Sequence, residues 1–460
     1  MGGVDKGGAR LPASPPASAW RAGSAQDVVA FDRALNLPMG RRCKQPRSRS
    51  MIEARPTEDG GGPLTSNPNV AEWDVRPAKT CGKIALLITE DWFALSHFRP
   101  LISVLAQLAE SVVVVTRSSG RLHEIEALGA RTLEFDFRRS SNNQALAAQL
   151  AWTLSRILKR ERPDVVHLVA MKPIVLGGLA LRLTRVPHTV VHVTGQGLAG
   201  IATNPIVRLY RLAMLRLLAS LVRKPTSYLL VENPDDLALV RKVAPNLGSR
   251  FAILGGAGVD PEAFPALSPP DHARPVAAHV GRMIKSKGID LLSEAYDQLV
   301  AEGVDLRLEL YGSSDRDNPE AVPPQEIITW CQRSGARWYG PVTDVVGVWQ
   351  GADMFVLASR GGEGLPRALL EAAACARPLI VSDVPGNRHF VRDGIEGLLV
   401  PPGDAAALAS AMRTLAGDRD LRLRLGRAAR QRLLTGFTEA HVKRALLTSY
   451  ETMLGWRVDP

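Results

Sequence analysis

The sequence predicts an α/β protein with two doubly wound domains, each built on a mainly parallel sheet. Between Lys83 and Val193, short apolar runs alternate with amphipathic stretches of helical length, as they do in domains of this class. A second alternating set begins at Val276. The intervening residues 256–275 are rich in Gly and Pro, which is typical of a linker between domains.

The first domain is assigned to residues 79–255. Its predicted strands are Ile84–Ile88, Val112–Val115, Val165–Val169 and Thr189–Val193. Its predicted helices are Pro100–Leu108, Gln144–Lys159, Ile174–Leu183 and Pro205–Lys224. Because such sheets bind ligands beyond the carboxyl ends of their strands, the loops 89–99, 170–173 and 194–200 are candidate parts of a site.

The second domain is assigned to residues 276–435. Its predicted strands are Val276–Val280, Leu306–Tyr311, Met354–Leu357, Leu379–Val381 and Gly397–Val400. One predicted helix runs to Leu299, another spans Gln325–Arg333, and a third follows Pro366. The remaining segment, 436–460, carries a final helix over Thr438–Leu454 that we expect to pack back on the first domain.

Residues 1–78 are predicted to form a disordered tail. They are basic, rich in Gly, Pro and Ser, and show no sustained hydrophobic periodicity. Arg41, Arg42, Lys44, Arg47 and Arg49 form a basic cluster in this tail. The cluster is either a solvated segment or a contact for a membrane surface or a nucleic acid.

Composition limits the class of partner. The net charge of +11 suggests an anionic partner, whereas an aromatic content of 5% without interleaved basic residues argues against a nucleic acid. No apolar run reaches the length of a membrane-spanning helix. The four cysteines have neither metal-ligand nor disulfide-framework spacing, which favours a cytoplasmic location.

The stretch from Glu363 to Glu371 is the strongest local signal for chemistry. It follows an apolar strand and a glycine turn, and Pro366 suits the first turn of a helix. Glu363 then lies on the loop before the helix, while Glu371 lies inside it and leans back toward the helix N-terminus. An N-terminus binds phosphate, so two carboxylates beside it suggest a ligand with a sugar and a ribose. Taken alone, the stretch is better explained as part of a solvated helix.

A second signal is the segment from His279 to Gly288. It is another strand–turn–helix opening, with Arg282 and Lys287 at its mouth. A guanidinium can bind two phosphate oxygens at once, and an ammonium adds a compact charge. The alternative for each residue separately is a solvated charge at a helix end.

Together the two segments resemble the C-terminal half of the family-4 retaining glycosyltransferases. Gly281, Arg282, Lys287 and Gly288 match the family's Gly-Arg…Lys-Gly pair, and Glu363 and Glu371 match its Glu-x7-Glu motif. Residues 377–388 and 393–404 also look like that family. In the first domain, 96–100, 172–173 and 232–236 resemble a bacterial surface-polysaccharide branch whose members often extend polyprenyl-diphosphate-linked sugars.

The resemblance implies a GT-B fold, in which two Rossmann-like domains face each other across a cleft. It also implies transfer of a sugar from a nucleotide sugar, with UDP as the expected nucleotide, to a lipid-linked or growing glycan, without metal or cofactor. The implied catalytic residues are Arg282, Lys287 and Glu363. The implied donor-binding residues are Gly281, Gly364, Leu365, Pro366 and Glu371. Glu363 would hold the sugar hydroxyls, the amides of Gly364 and Leu365 would lie near the phosphates, and Glu371 would take the ribose.

Residues of the first domain are candidates for contact with the acceptor or the sugar. They are His97, Arg99, Lys172, Thr194 and Gly195. Many family members carry a His where this chain has Thr194, and whether His192 compensates is open. His97 has a capping or core histidine as its alternative.

Other features carry alternatives of their own. Arg208, Arg211, Arg216 and Arg223 give the helix 205–224 a basic face, which suits either peripheral binding to the anionic inner face of the membrane or an ordinary protein surface. The Asp-x-Asp sequences at 315–317 and 418–420 are expected to be loop and turn residues. A nucleotide-sugar epimerase-hydrolase on the same scaffold and a silent scaffold that recruits partners are the rival functions.

Overall fold

Two parallel sheets organise the residues that the computed structural model describes, which are 80–137, 144–195, 205–314 and 318–456. The strands of the first sheet are β1 (Cys81–Glu90), β2 (Ala109–Arg117), β3 (Arg131–Glu134), β4 (Val165–Val169), β5 (His188–Val193), β6 (Ser227–Val231) and β7 (Phe251–Ile253). Their spatial order is β3-β2-β1-β4-β5-β6-β7, and every neighbouring pair is parallel.

Helices cover both faces of this sheet. They are α1 (Asp91–His97), α2 (Arg99–Leu108), α3 (Leu122–Glu126), α4 (Gln144–Glu161), α5 (Met171–Ala180), α6 (Pro205–Val222) and α7 (Pro234–Val243). Successive side chains of β1 enter different cores: Ile84 and Leu86 face one layer, and Ala85 and Leu87 face the other. Because β1 is buried on both faces, its sequence is a continuous apolar run.

The second domain repeats this architecture. Its strands are β8 (Val276–Val280), β9 (Arg307–Tyr311), β10 (Arg337–Trp338), β11 (Met354–Leu357), β12 (Leu379–Ser382) and β13 (Gly397–Val400), in the spatial order β10-β9-β8-β11-β12-β13. Its helices are α8 (Ile289–Ala301), α9 (Pro324–Ser334), α10 (Val345–Gly351), α11 (Arg367–Ala374), α12 (Pro385–Phe390), α13 (Ala405–Gly417) and α14 (Arg419–Gly436).

The chain crosses between the two domains at two neighbouring points. The Val259 N–H donates to Phe437 O at 3.3 Å, and the Glu439 N–H donates to Val259 O at 3.1 Å, so the two crossings run side by side. After the second crossing, α15 (Glu439–Leu454) returns to the first domain. Its buried residues Leu446 and Tyr450 belong to the same core as β1.

The structure confirms the predicted fold class of two doubly wound α/β domains. Four predicted strands match from end to end: Val165–Val169, Val276–Val280, Met354–Leu357 and Gly397–Val400. The sequence prediction gave no range for β3, β6, β7 and β10, nor for α1, α3, α7, α10, α12, α13 and α14. The predicted tail 1–78, with its basic cluster, lies outside the described residues. Within the described ranges, no helix has the length and apolar character needed to cross a membrane.

Candidate active site

Lys287 and Glu363, predicted from separate stretches, meet at the carboxyl edge of the second sheet. Lys287 ends a short 3-10 turn, Lys285–Lys287, just before α8, and Glu363 lies on the loop between β11 and α11. The Lys287 Nζ lies 2.6 Å from Glu363 Oε1, and the two side chains are 15% and 20% exposed. The pair is therefore sheltered yet still open to the cleft.

Arg360 fixes the two loops that carry this pair. Its guanidinium donates to both carboxylate oxygens of Asp290, at 2.6 and 2.9 Å, and to Lys285 O at 2.6 Å. Its backbone N–H donates to Ser286 O at 2.9 Å. A bidentate arginine restricts geometry as well as adding energy, so the loop after β11 is tied to the 285–287 turn. Sequence reasoning missed Arg360, although a basic residue just beyond a strand end was the available signal.

Gly281 and Arg282 lie at the end of β8, beside the turn. The Gly281 N–H donates to Tyr311 O at 2.9 Å, and this hydrogen bond fastens the start of the loop after β8 to the end of β9. Arg282 is half-buried. Burial and the charge of Arg367 lower the pKa of His97 in the first domain, and the charges of Lys287 and Arg282 add to this effect.

Glu371 lies within the first turns of α11, directly behind the loop. It is buried, and the Arg367 Nε donates to its Oε1 at 2.7 Å. Burial raises the pKa of Glu371, and the charge and hydrogen bond of Arg367 oppose that rise. Pro366 is the residue immediately before α11. Glu371 thus leans toward the helix N-terminus, as predicted from helical geometry.

Gly195 brings the first domain into contact with the Glu363 loop. It follows Thr194 at the end of β5 and has a φ of +100°. A Cβ at Gly195 would lie 2.5 Å from both Glu363 C and Gly364 N, closer than carbon atoms pack. Gly195 therefore meets the Glu363–Gly364 peptide across the cleft, and only a glycine permits the approach.

His97 lies at the junction between α1, of which it is the last residue, and α2. Its Nδ1 is 2.7 Å from Ser96 Oγ. Burial, and then the charges of Arg367, Lys287 and Arg282, lower the pKa of His97 to about 3. Arg367 also donates to Ser96 O, which joins α11 to this junction. His97 is thus a neutral imidazole facing cations of the second domain.

Arg99 and Lys172 occupy less central positions. The Arg99 guanidinium pairs with Glu124 at 2.9 Å and donates to Leu95 O, so its hydrogen bonds stay within the first domain. Lys172 is the second residue of α5 and is half-buried. It therefore lies near the carboxyl end of β4, on the edge that carries Thr194.

His192 lies in the core and not in the cleft. It is buried, its ring meets the Phe98 ring edge-on at 5.4 Å, and its Nδ1 is 3.4 Å from His167 Nε2. Burial lowers its pKa to about 3. The side chain at the position usually held by a family histidine is that of Thr194.

Glu232 begins the segment 232–236 that resembles the polysaccharide branch, but it was not among the predicted site residues. It follows β6, is 7% exposed, and its Oε2 accepts the Leu365 N–H at 2.9 Å. Burial raises the pKa of Glu232 to about 8; the Leu365 N–H opposes this rise, and the charges of Asp236 and Glu363 add to it. The amide of Leu365, predicted to lie near the donor phosphates, thus faces a carboxyl group of the other domain.

The remaining predicted features are placed as follows. Arg216 and Arg223 are exposed on α6, and Arg223 donates to Val243 O at 3.1 Å, whereas the side chains of Arg208 and Arg211 lie outside the described residues. Asp418 caps α14 by accepting the Leu421 N–H at 2.8 Å. Residues 315–317 lie outside the described part. Where the chain is described, no cluster of His, Cys, Asp and Glu suits a metal ion.

Two family models match the chain, one on each domain. The model described as Glycosyl transferase 4-like matches residues 83–222, and the model described as Glycosyl transferases group 1 matches residues 274–418. This chain belongs to the family-4 glycosyltransferases. The prediction of that family, and of glycosyltransferase activity, is confirmed.

Curated relatives of this glycosyltransferase span most of its length. One is the N,N'-diacetylbacillosaminyl-diphospho-undecaprenol alpha-1,3-N-acetylgalactosaminyltransferase of Campylobacter jejuni, 24% identical over 375 residues, covering 78% of this chain and 96% of the relative. Another is the UDP-Gal:alpha-D-GlcNAc-diphosphoundecaprenol alpha-1,3-galactosyltransferase of Escherichia coli. It is 25% identical over 297 residues, covering 62% of this chain and 74% of the relative.

Solved structures share the fold of this glycosyltransferase. The glycosyltransferase from Rickettsia africae has a TM-score of 0.62 at 17% identity and covers 82% of this chain and 99% of its own. Anabaena HepE in complex with UDP-glucose has a TM-score of 0.62 at 16% identity and covers 80% of this chain and 99% of its own. The predicted GT-B arrangement is confirmed.

Proposed function

We propose that this glycosyltransferase moves a sugar from a UDP-sugar to a lipid-linked glycan, with retention of anomeric configuration and without a metal ion. The Lys287–Glu363 pair is the observation that supports the proposal most directly. An ammonium held 2.6 Å from a carboxylate can neutralise a phosphate on one side while the carboxylate accepts sugar hydroxyls on the other. The pair thus suits the junction between a diphosphate and a sugar.

The chemistry follows from where charge develops. Breaking the sugar–phosphate bond leaves negative charge on the UDP, and Arg282 and Lys287 stabilise it. Each charge-assisted hydrogen bond of this kind contributes about 1.5–3 kcal/mol. Glu371, behind the loop, accepts the ribose hydroxyls. The departing diphosphate takes the proton of the acceptor hydroxyl as the new bond forms on the same face of the sugar.

The names of two relatives support the choice of substrates. The E. coli relative is named for UDP-Gal as donor, and both it and the C. jejuni relative are named for acceptors on diphospho-undecaprenol. An acceptor of that kind lies in a membrane. We therefore place this enzyme at the inner face of the membrane, where the exposed Arg216 and Arg223, with Arg208 and Arg211, attract anionic lipid.

Nucleotide release tests this proposal. The full chain is incubated with UDP-glucose, UDP-galactose, UDP-N-acetylglucosamine and UDP-N-acetylgalactosamine, with and without membrane extract, and released UDP is measured. Lys287→Ala should lower release by about 10²–10³-fold, the usual effect of removing one such donor. The matched control is Lys285→Ala, because Lys285 lies on the same turn with an exposed side chain. We expect that control to behave as wild type.

Three results would contradict the proposal. Equal UDP release by Lys287→Ala and wild type would show that Lys287 does not stabilise the diphosphate. Epimerised sugar formed without any acceptor would favour an epimerase-hydrolase. Binding of UDP-sugar with no turnover, even with membrane extract, would favour a scaffold.

A further inference from the structure

Glu232 projects from the first domain into the donor loop of the second. Its backbone is fixed from both sides: β6 ends at the preceding residue, and the following Asn233 caps α7 by accepting the Asp236 N–H at 2.9 Å. The carboxyl group accepts the Leu365 N–H at 2.9 Å. Residues 133 positions apart in sequence thus meet across the cleft.

The contact is tightly packed. The Glu232 carboxyl occupies the space that a Cβ at Gly364 would need, and Gly386 approaches the carbonyl of Gly364 just as closely from α12. Gly195 abuts the Glu363–Gly364 peptide from the first domain. The loop between Glu363 and Leu365 is therefore held by backbone and side-chain contacts from both domains.

Because Glu232 already accepts the Leu365 N–H, this amide is not free for the donor phosphates, as the resemblance implied, and the contact bears on the sugar half of the donor site. Glu232 touches the peptides that immediately follow Glu363, the residue assigned to the sugar hydroxyls. Glu371, assigned to the ribose, is held separately, through Arg367 on its own helix. A change at Glu232 should therefore alter the contribution of the sugar to donor affinity and leave the contribution of the nucleotide unchanged.

We propose that Glu232 is a positioning residue: by accepting the Leu365 N–H across the cleft, it sets the orientation in which Glu363 holds the transferred sugar. The sugar subsite is then assembled from both domains, although Glu363 itself belongs to the second. This role rests on the proposed function, because it requires a donor sugar at Glu363.

Calorimetric binding to the full chain tests the role. The affinities for UDP and for the UDP-sugar that supports release are measured for wild type, Glu232→Ala and Glu232→Gln. Glu232→Ala should weaken UDP-sugar binding about tenfold, the effect of one buried hydrogen bond, and leave UDP binding unchanged. Glu232→Gln should restore UDP-sugar binding, because its amide oxygen can accept the same N–H. The matched control is Glu326→Ala, an exposed glutamate in the first turn of α9.

The outcomes separate this role from the proposed function. Unchanged UDP-sugar binding by Glu232→Ala overturns the role alone. Equal weakening of UDP and UDP-sugar binding overturns it too, since it indicates general loss of structure. Tighter UDP-sugar binding overturns it by showing that Glu232 competes with the donor. A wild-type chain that binds UDP but no UDP-sugar overturns the proposed function and this role with it.

Discussion

Gly195→Ala is the sharpest test of whether the cleft must close for activity. Alanine at a positive φ costs about 1–2 kcal/mol. Its Cβ would also lie 2.5 Å from backbone atoms of Glu363 and Gly364, whereas carbon contacts are most favourable at about 3.5–4.0 Å. The contact is between a Cβ and backbone atoms, so rotating a side chain cannot relieve it. The Glu363–Gly364 peptide and the end of β5 must therefore separate by about 1 Å. A displacement of about 1 Å at a reacting centre can lower the rate about 10²-fold.

Gly248→Ala is the matched control for this experiment. Gly248 also has a positive φ, +62°, but a Cβ there meets nothing within 4 Å. Both variants should lose about 1–2 kcal/mol of unfolding free energy from backbone strain, measured by thermal or denaturant unfolding. Only Gly195→Ala should lose kcat/KM for UDP release from the donor. If the two variants were equally active, the contact across the cleft would not be needed and the reasoning would be refuted.

Three further predictions concern a clamp, a core hydrogen bond and a titration. Arg360→Ala removes the pair with Asp290 that ties the loop after β11 to the 285–287 turn, and it should lower kcat/KM for UDP release about tenfold. Arg333→Ala, which breaks the pair with Asp297 far from that loop, should leave kcat/KM unchanged. Equal effects of the two variants would refute the role of Arg360 in fixing the loop. Tyr450→Phe leaves the buried His167 Nδ1, now 2.8 Å from the Tyr450 hydroxyl, without that partner, so the unfolding free energy should fall by about 1–3 kcal/mol; an unchanged melting temperature would contradict this. Burial raises the pKa of Glu232 from 4.5 to about 8, so its contribution to stability is fully present below pH 4.5 and is lost as pH rises to about 8. Glu232→Gln does not titrate and should therefore gain stability relative to wild type as pH rises over that range. A difference in melting temperature that stays constant with pH would contradict the raised pKa of Glu232.

Lys287 and Glu363 were predicted as site residues from the family resemblance, and the sheet geometry explains why they meet. Each residue lies a few positions beyond an apolar run, and those runs, β8 and β11, are neighbours in the sheet. Carboxyl ends of adjacent parallel strands meet at one edge, so their loops converge. Three of the four strands that matched from end to end, β4, β8 and β11, are likewise apolar runs inside a sheet, whereas β13 lies at an edge.

The edge strand β3 and the contacts between domains were not predictable in this way. β3 carries Arg131 and Glu134, is half-exposed, and shows no apolar run. The contact between Glu232 and Leu365 joins two domains, and no local pattern encodes the packing of one domain on another. The direction of the Arg99 guanidinium depends in the same way on Glu124, 25 residues away.

The return of α15 to the first domain has a consequence for the order in which the protein folds during synthesis. The second domain is continuous in sequence, so its sheet and helices can assemble as soon as they leave the ribosome. The first domain is synthesised earlier, but its core includes Leu446 and Tyr450. Until α15 emerges, the nascent first domain exposes the apolar surface that this helix covers. The domain that is made first is therefore the one completed last.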